Sequence, residues 1–185
     1  VTNRGLAQRA KQAREAHEDL HAAFAWVVDP NDRDDPRTKC WLAAVERFRI
    51  SLDRVLPTAL REVDDGRRAI SELHVEEIVE FLETDPLFFR SGYIKERLLR
   101  EIKKRLLDRS QTRRLQDIVL HIARTRDCRE YRHYCHAAAA VDDVRLRSEL
   151  AQLRSSDDLA VRRRALWMVQ VMDQAKRIGR AGSAS

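Results

Sequence analysis

Residues 155–174 read Ser155-Ser156-Asp157-Asp158-Leu159-Ala160-Val161-Arg162-Arg163-Arg164-Ala165-Leu166-Trp167-Met168-Val169-Gln170-Val171-Met172-Asp173-Gln174. The opening Ser/Asp cluster supplies oxygens that accept the free N–H groups of a first helical turn. Behind it Val161, Ala165, Met168 and Met172 recur at i, i+4, i+7 and i+11, so one face of a helix over 159–175 is apolar. Trp167 falls roughly 100–140° around the helix from that stripe, between Arg163 and Arg164. An indole there either offers a face beside two guanidinium groups, for a base or a peptide aromatic, or packs against a neighbouring helix pair, since Leu166 and Val169 broaden the apolar arc.

The same period runs back along the chain. Val144, Leu146, Leu150 and Leu153 predict a helix over 142–153, and a further one spans 129–140 beyond the break at Thr125-Arg126-Asp127. Leu115, Ile118, Val119 and Ile122 predict a helix over 112–124, and Ile94, Leu98, Ile102 and Leu106 one from Tyr93. Val75, Ile78, Val79 and Leu82 predict another, closed by Thr84-Asp85-Pro86. Nearer the start, Leu6, Ala10, Ala13, His17, Leu20, Phe24 and Val27 predict a long helix over 3–28, with Trp26 and Val28 widening its apolar end. The run Asp29 to Pro36 stops it. Thr38 is the expected cap of the next helix, which carries Trp41 to Leu56, and Pro57 either kinks that helix or begins another.

Five Gly and four Pro are too few for the turns of a sandwich or barrel, so the fold class is all-α, built from antiparallel helix pairs. Residues 1–178 form a single helical domain: an acidic part over 1–70, then repeat-like basic helix pairs over 71–178. The small residues of 179–185 form a flexible tail. No run approaches the roughly 18 apolar residues of a membrane span. Val1 to Arg14 is polar and basic without a secretory leader's apolar run. Val1 itself reads as an alternative start codon taken literally or as a processed end. The arginine bias, 30 of 36 basic residues, points to a GC-rich bacterial source or to function. Cys40, Cys128 and Cys135 form no paired framework and read as reduced, small buried hydrophobes of a cytoplasmic protein.

Breaks at Asp85-Pro86, Thr125-Arg126-Asp127 and Ser155-Ser156-Asp157 precede helices of comparable length, about 42 and then 30 residues apart. Asp158 to Ala165, with its Val161-Arg162 pair and the alanine three residues on, resembles the start of the second helix of a HEAT repeat. Leu146 to Leu153 takes the place of the first. The resemblance is carried mainly by residues 142–175 and departs from the pattern at Leu87 to Tyr93. It implies a short, irregular, right-handed HEAT-like α-solenoid, and a binding surface for protein or nucleic acid. A subset of small bacterial members of that family removes alkylated bases from DNA.

Charge places the candidate surface. Residues 1–85 carry 13 basic and 18 acidic side chains; residues 86–185 carry 23 and 12. Arg97, Arg100 and Lys104 fall at i, i+3 and i+7, away from the apolar face, and guanidinium forks suit phosphate. Arg114 and His121 share a face of the next helix, and Arg129 and Arg132 crowd the junction after it. Arg163, Arg164 and Trp167 complete the partner-binding candidates. Glu96, Glu101 and Asp108 stand close enough to neutralise part of the row.

Chemistry finds less support. Cys128 and Cys135, seven apart, would lie roughly 10 Å apart on a continuous helix, too far for one tetrahedral metal. His133 and His136 lack the spacing of a zinc motif. The glycines are scattered singly, so no phosphate loop is present, and no cofactor or metal is expected. The carboxylate pairs, such as Asp142-Asp143 and Asp157-Asp158, sit at helix starts. The sequence thus points to a non-enzymatic binding protein whose basic C-terminal half meets an acidic macromolecule, protein before nucleic acid, with self-association open. The alternative is a nucleic-acid-binding protein, in its narrower form a glycosylase of alkylated bases.

Overall fold

The computed structural model describes residues 3–182, with side chains over 5–178, and these form an all-helical, multi-helix bundle in two compact units. The first unit, residues 1–73 with 84–91, contains α1 (Asn3–Phe24), α2 (Pro36–Val55), α3 (Thr58–Asp64) and a 3-10 turn (Ile70–Glu72). α1 packs on α2. Ala10, Ala13 and Ala44 are buried there, and such small side chains let two helices approach closely.

The breaks follow their residues' chemistry. Asp35, not Thr38, caps α2, accepting from Arg37 N at 2.7 Å, with Pro36 at the first helical position, where a missing N–H costs nothing. Thr38 is buried instead and donates its hydroxyl to the Asp29 carbonyl at 3.1 Å. Pro57 stands at the N-cap of α3, and Gly66, at φ +73°, follows the helix in the left-handed backbone that favours a residue without Cβ. α1 stops at Phe24, so Trp26 and Val28 lie beyond it, 74% and 75% exposed, and do not extend the apolar face.

The second unit, residues 74–83 with 92–185, contains α4 (Val75–Thr84), α5 (Ser91–Ile102), α6 (Arg109–Thr125), α7 (Tyr131–Ala140), α8 (Val144–Leu153) and α9 (Leu159–Gly182). α9 packs on α6, α7 and α8, and α6 packs on α7 and α8. Val161, Ala165, Met168 and Met172 are all buried, as their spacing requires, and each large apolar side chain so buried contributes about 1.5–3 kcal/mol. Asp158 accepts from Ala160 N at 2.7 Å and Val161 N at 3.3 Å, capping α9. Asp108 and Gln111 form a reciprocal capping box on α6 at 2.8 and 3.1 Å.

Two expected core positions are solvent-facing. α5 ends at Ile102, which leaves Leu106 99% exposed past its end; Val144, the first residue of α8, is 87% exposed. The expected tail spans the end of α9, which continues to Gly182, and residues 183–185, which lie outside the described residues. Among the described residues no helix is long and apolar enough to cross a membrane.

Candidate functional site

α6 ends at Thr125, and the chain turns through Asp127 and Cys128 before α7 starts at Tyr131. That turn lies against the first turns of α9, and the two enclose a recess of about 510 Å³. Asp127, Cys128, Arg129, Tyr131, Arg132, Arg163, Arg164 and Trp167 line it. Five of the ten candidate residues meet here: Arg129, Arg132, Arg163, Arg164 and Trp167.

Arg164 and Tyr131 hold the recess together. Arg164 is buried, and its guanidinium donates to the Ala123 carbonyl at 2.8 Å and the Arg124 carbonyl at 3.1 Å. These are last-turn carbonyls of α6 whose partners the helix cannot itself supply. The Tyr131 hydroxyl donates to the Arg164 carbonyl at 2.8 Å, tying α7 to α9. Burial pushes the Tyr131 phenol far above its ordinary range, so it remains a neutral donor. Arg164 thus organises the site from beneath, while Arg163 reaches its surface.

Trp167 is 44% exposed and packs against Tyr131, ring centroids 5.3 Å apart. It is therefore both packed and presented. Around it Arg163 pairs with Asp127 at 3.0 Å, and Asp127 also takes Arg164 at 3.7 Å. Arg129 lies over the Tyr93 ring at 3.6 Å and 3.9 Å from Glu96. Arg132 is exposed in the first turn of α7. A cation there adds to the positive end of the helix dipole rather than offsetting it. The lining holds four guanidinium groups against one carboxylate.

The other candidates stand apart from the recess. Arg114 is clamped: its guanidinium donates to both Glu83 oxygens at 2.7 Å and to Glu76 at 2.5 Å. Arg100 pairs with Glu96 at 3.4 Å, and Arg97 is half-buried on α5. Lys104 lies past the end of α5 and pairs with Glu101 at 3.4 Å, so the three cations do not form one helical row. His121 is exposed on α6.

Of the cysteines, Cys135 is buried and its thiol is pushed up to about 12, which removes it as a nucleophile near neutral pH; Cys40 is exposed. His133 sits 3.4 Å from Glu96, yet burial outweighs the carboxylate and lowers its pKa. No group of three or more His, Cys, Asp or Glu side chains converges among the described residues. A second recess, of about 690 Å³, went unseen in the sequence: Arg109, Ser110, Thr112, Arg113, Gln116, Asp143 and Arg145 line it. Gln116 anchors it, buried, donating to the Val141 carbonyl at 3.0 Å and accepting from Arg145 at 2.9 Å. Helical periodicity marks Leu115 and Val119 as core but says nothing of a buried amide between them. No protein-family model, curated protein or solved structure matches the chain.

Proposed function

We propose that this chain is a non-enzymatic, intracellular binding protein of HEAT-like build, whose Trp167 recess takes an acidic segment of another protein. The gathering of Arg129, Arg132 and Arg163 around a half-exposed tryptophan carries the reading. Tryptophan and arginine are the side chains that most often dominate protein interfaces, the indole filling a pocket and the guanidinium forking onto carboxylate. The packing of α8 on α9 and the Asp158 cap support the HEAT-like reading of residues 142–175.

Protein is favoured over duplex DNA because several cations of the second unit outside the recess are engaged by its own carboxylates. Arg114, Arg124, Arg145 and Arg147 each pair with an acidic side chain on another helix or loop. A duplex needs a track of available cations along its phosphates, whereas an acidic peptide needs one short basic recess. The test is a titration with fluorescent peptides of Asp and Glu bearing one Trp, Phe or Leu anchor, with mixed-sequence duplex DNA alongside. Trp167→Ala should weaken the preferred peptide by roughly 30-fold, the loss typical of a buried aromatic anchor. Equal affinity in the variant, or tighter binding to DNA at every salt concentration, removes the proposal.

One observation favours a second reading. Asp127 brings a carboxylate into the same recess as the Trp167–Tyr131 pair and the guanidinium groups. Base excision would call for that set: aromatic faces for the displaced base, cations for phosphate, and a carboxylate for the developing positive sugar. Release of methylated base from duplex DNA by the wild type, abolished in Asp127→Asn, would select this reading over the first.

A further inference from the structure

His17 and His21 lie four residues apart on α1 in the first unit, their Nε2 atoms joined by a hydrogen bond of 3.2 Å that a metal bound to both nitrogens would replace. Two imidazole nitrogens that share a metal at about 2.0–2.1 Å, subtending roughly 90–110°, lie about 2.9–3.4 Å apart. The observed separation falls inside that window. We propose that His17 and His21 form a two-imidazole chelate for a borderline divalent transition metal such as Ni²⁺, Cu²⁺ or Zn²⁺.

Pre-organisation supports the assignment. The His17 ring packs against Phe48 of α2 at 4.9 Å and Phe89 at 5.0 Å, which fixes its direction before any metal arrives. His21 is exposed and meets His17 edge-on, ring centroids 4.5 Å apart, so its side chain can turn its lone pair onto an ion held by His17. Partial burial and the neighbouring imidazole lower the pKa of His17, keeping its nitrogen unprotonated and available near neutral pH. Imidazole ligands suit Ni²⁺, Cu²⁺ and Zn²⁺ rather than Mg²⁺ or Ca²⁺. Two protein nitrogens leave several coordination positions to water or to an incoming ligand.

The test uses the full chain. Ni²⁺ is titrated calorimetrically into wild type, His21→Ala, and a His133→Ala/His136→Ala control, with helix content checked by circular dichroism. Wild type and control should bind one ion alike. His21→Ala should lose at least tenfold in affinity, since even a partner that merely supports a ligand is worth about 10–100-fold. His21 is exposed, so its removal leaves the fold in place. Cu²⁺ loaded at one equivalent should show nitrogen hyperfine coupling from two imidazoles by electron paramagnetic resonance. Affinity within twofold of wild type in His21→Ala, or coupling from fewer than two imidazoles, overturns the proposal.

Discussion

The two units hold different balances of charge. Divided at residue 85, the chain is acidic in front and basic behind. Divided as it folds, the first unit holds 14 basic and 14 acidic side chains, and the second 22 and 16. The difference is α4, whose Glu76, Glu77, Glu80 and Glu83 belong to the second unit, together with Arg90, which belongs to the first. In the first unit, the pairs Lys11–Glu15, Arg37–Asp35 and Arg49–Glu46 join near neighbours. In the second, several cross the fold: Arg114 to Glu83, Arg124 to Glu149, Arg145 to Asp117, Arg147 to Asp173. A basic stretch of sequence is therefore not a basic surface. Part of its charge is neutralised between helices, and the recess gathers Arg132 with Arg129 and Arg163, which carry pairs of their own.

The largest effect expected from breaking this arrangement comes from its centre. Ala165 is fully buried on α9, the helix that packs on α6, α7 and α8. Ala165→Glu introduces a carboxylate with no partner, which either costs on the order of several kcal/mol as a buried, unpaired charge or must be protonated. Thermal unfolding of the second unit should move down sharply or vanish. A wild-type midpoint would show that the Val161–Met172 stripe is not core.

A smaller effect sharpens the contrast between near and crossing ion pairs. Arg114→Gln removes a forked pair that ties α6 to α4, for a destabilisation of about 1–2 kcal/mol once its partial exposure is allowed for. Arg49→Gln removes an exposed pair three residues apart on α2 and should leave the unfolding midpoint where it was. Urea unfolding of both variants at 0.1 M and 1 M salt reads the difference. The Arg114 effect should shrink only in part at high salt, because a part-buried pair is less screened than an exposed one. Equal effects in the two variants would erase the distinction between the units.

Periodicity made most helices legible, and Pro30, Pro36, Pro57 and Pro86 located their breaks. It failed at helix ends. Trp26, Leu106 and Val144 continue an apolar rhythm by one turn beyond the last or first residue that has a neighbour to cover it. The recess was legible in part for the same reason. Arg129 and Arg132 stand out in sequence because they crowd the junction after Thr125, and Arg163 and Trp167 because they fall off the apolar stripe of 159–175. Arg164 looks identical to Arg163 there, yet it turns inward, because its partners are carbonyls of α6 about 40 residues away. Arg114 is misplaced likewise, since its glutamates lie 31 and 38 residues earlier. The His17–His21 pair is visible as spacing alone; what gives it geometry is the pair of phenylalanines from elsewhere in its unit.

A small stability effect is expected where the sequence carries its most prominent cation row. Changing Arg97, Arg100 and Lys104 together to glutamine removes three charges from α5 and the turn after it. Exposed substitutions move stability by under about 0.5 kcal/mol each, and only half-buried Arg97 should add to that. The binding result discriminates. Glu96 is shared, lying 3.4 Å from Arg100 and 3.9 Å from Arg129. Removing Arg100 therefore leaves Glu96 to Arg129 and His133 and draws one recess cation away from an incoming carboxylate. The row variant should weaken an acidic peptide modestly, most at low salt. Changing Arg129, Arg132 and Arg163 to glutamine should weaken it far more, because those groups line the recess itself. Against duplex DNA, neutralising any row that truly meets phosphate should flatten the logarithmic salt slope by roughly one unit for each phosphate it held. A row variant that weakens peptide binding more than the recess variant does would move the binding surface to α5. A row variant that flattens the DNA slope by about three units, one per removed cation, would restore the reading of Arg97, Arg100 and Lys104 as a phosphate track.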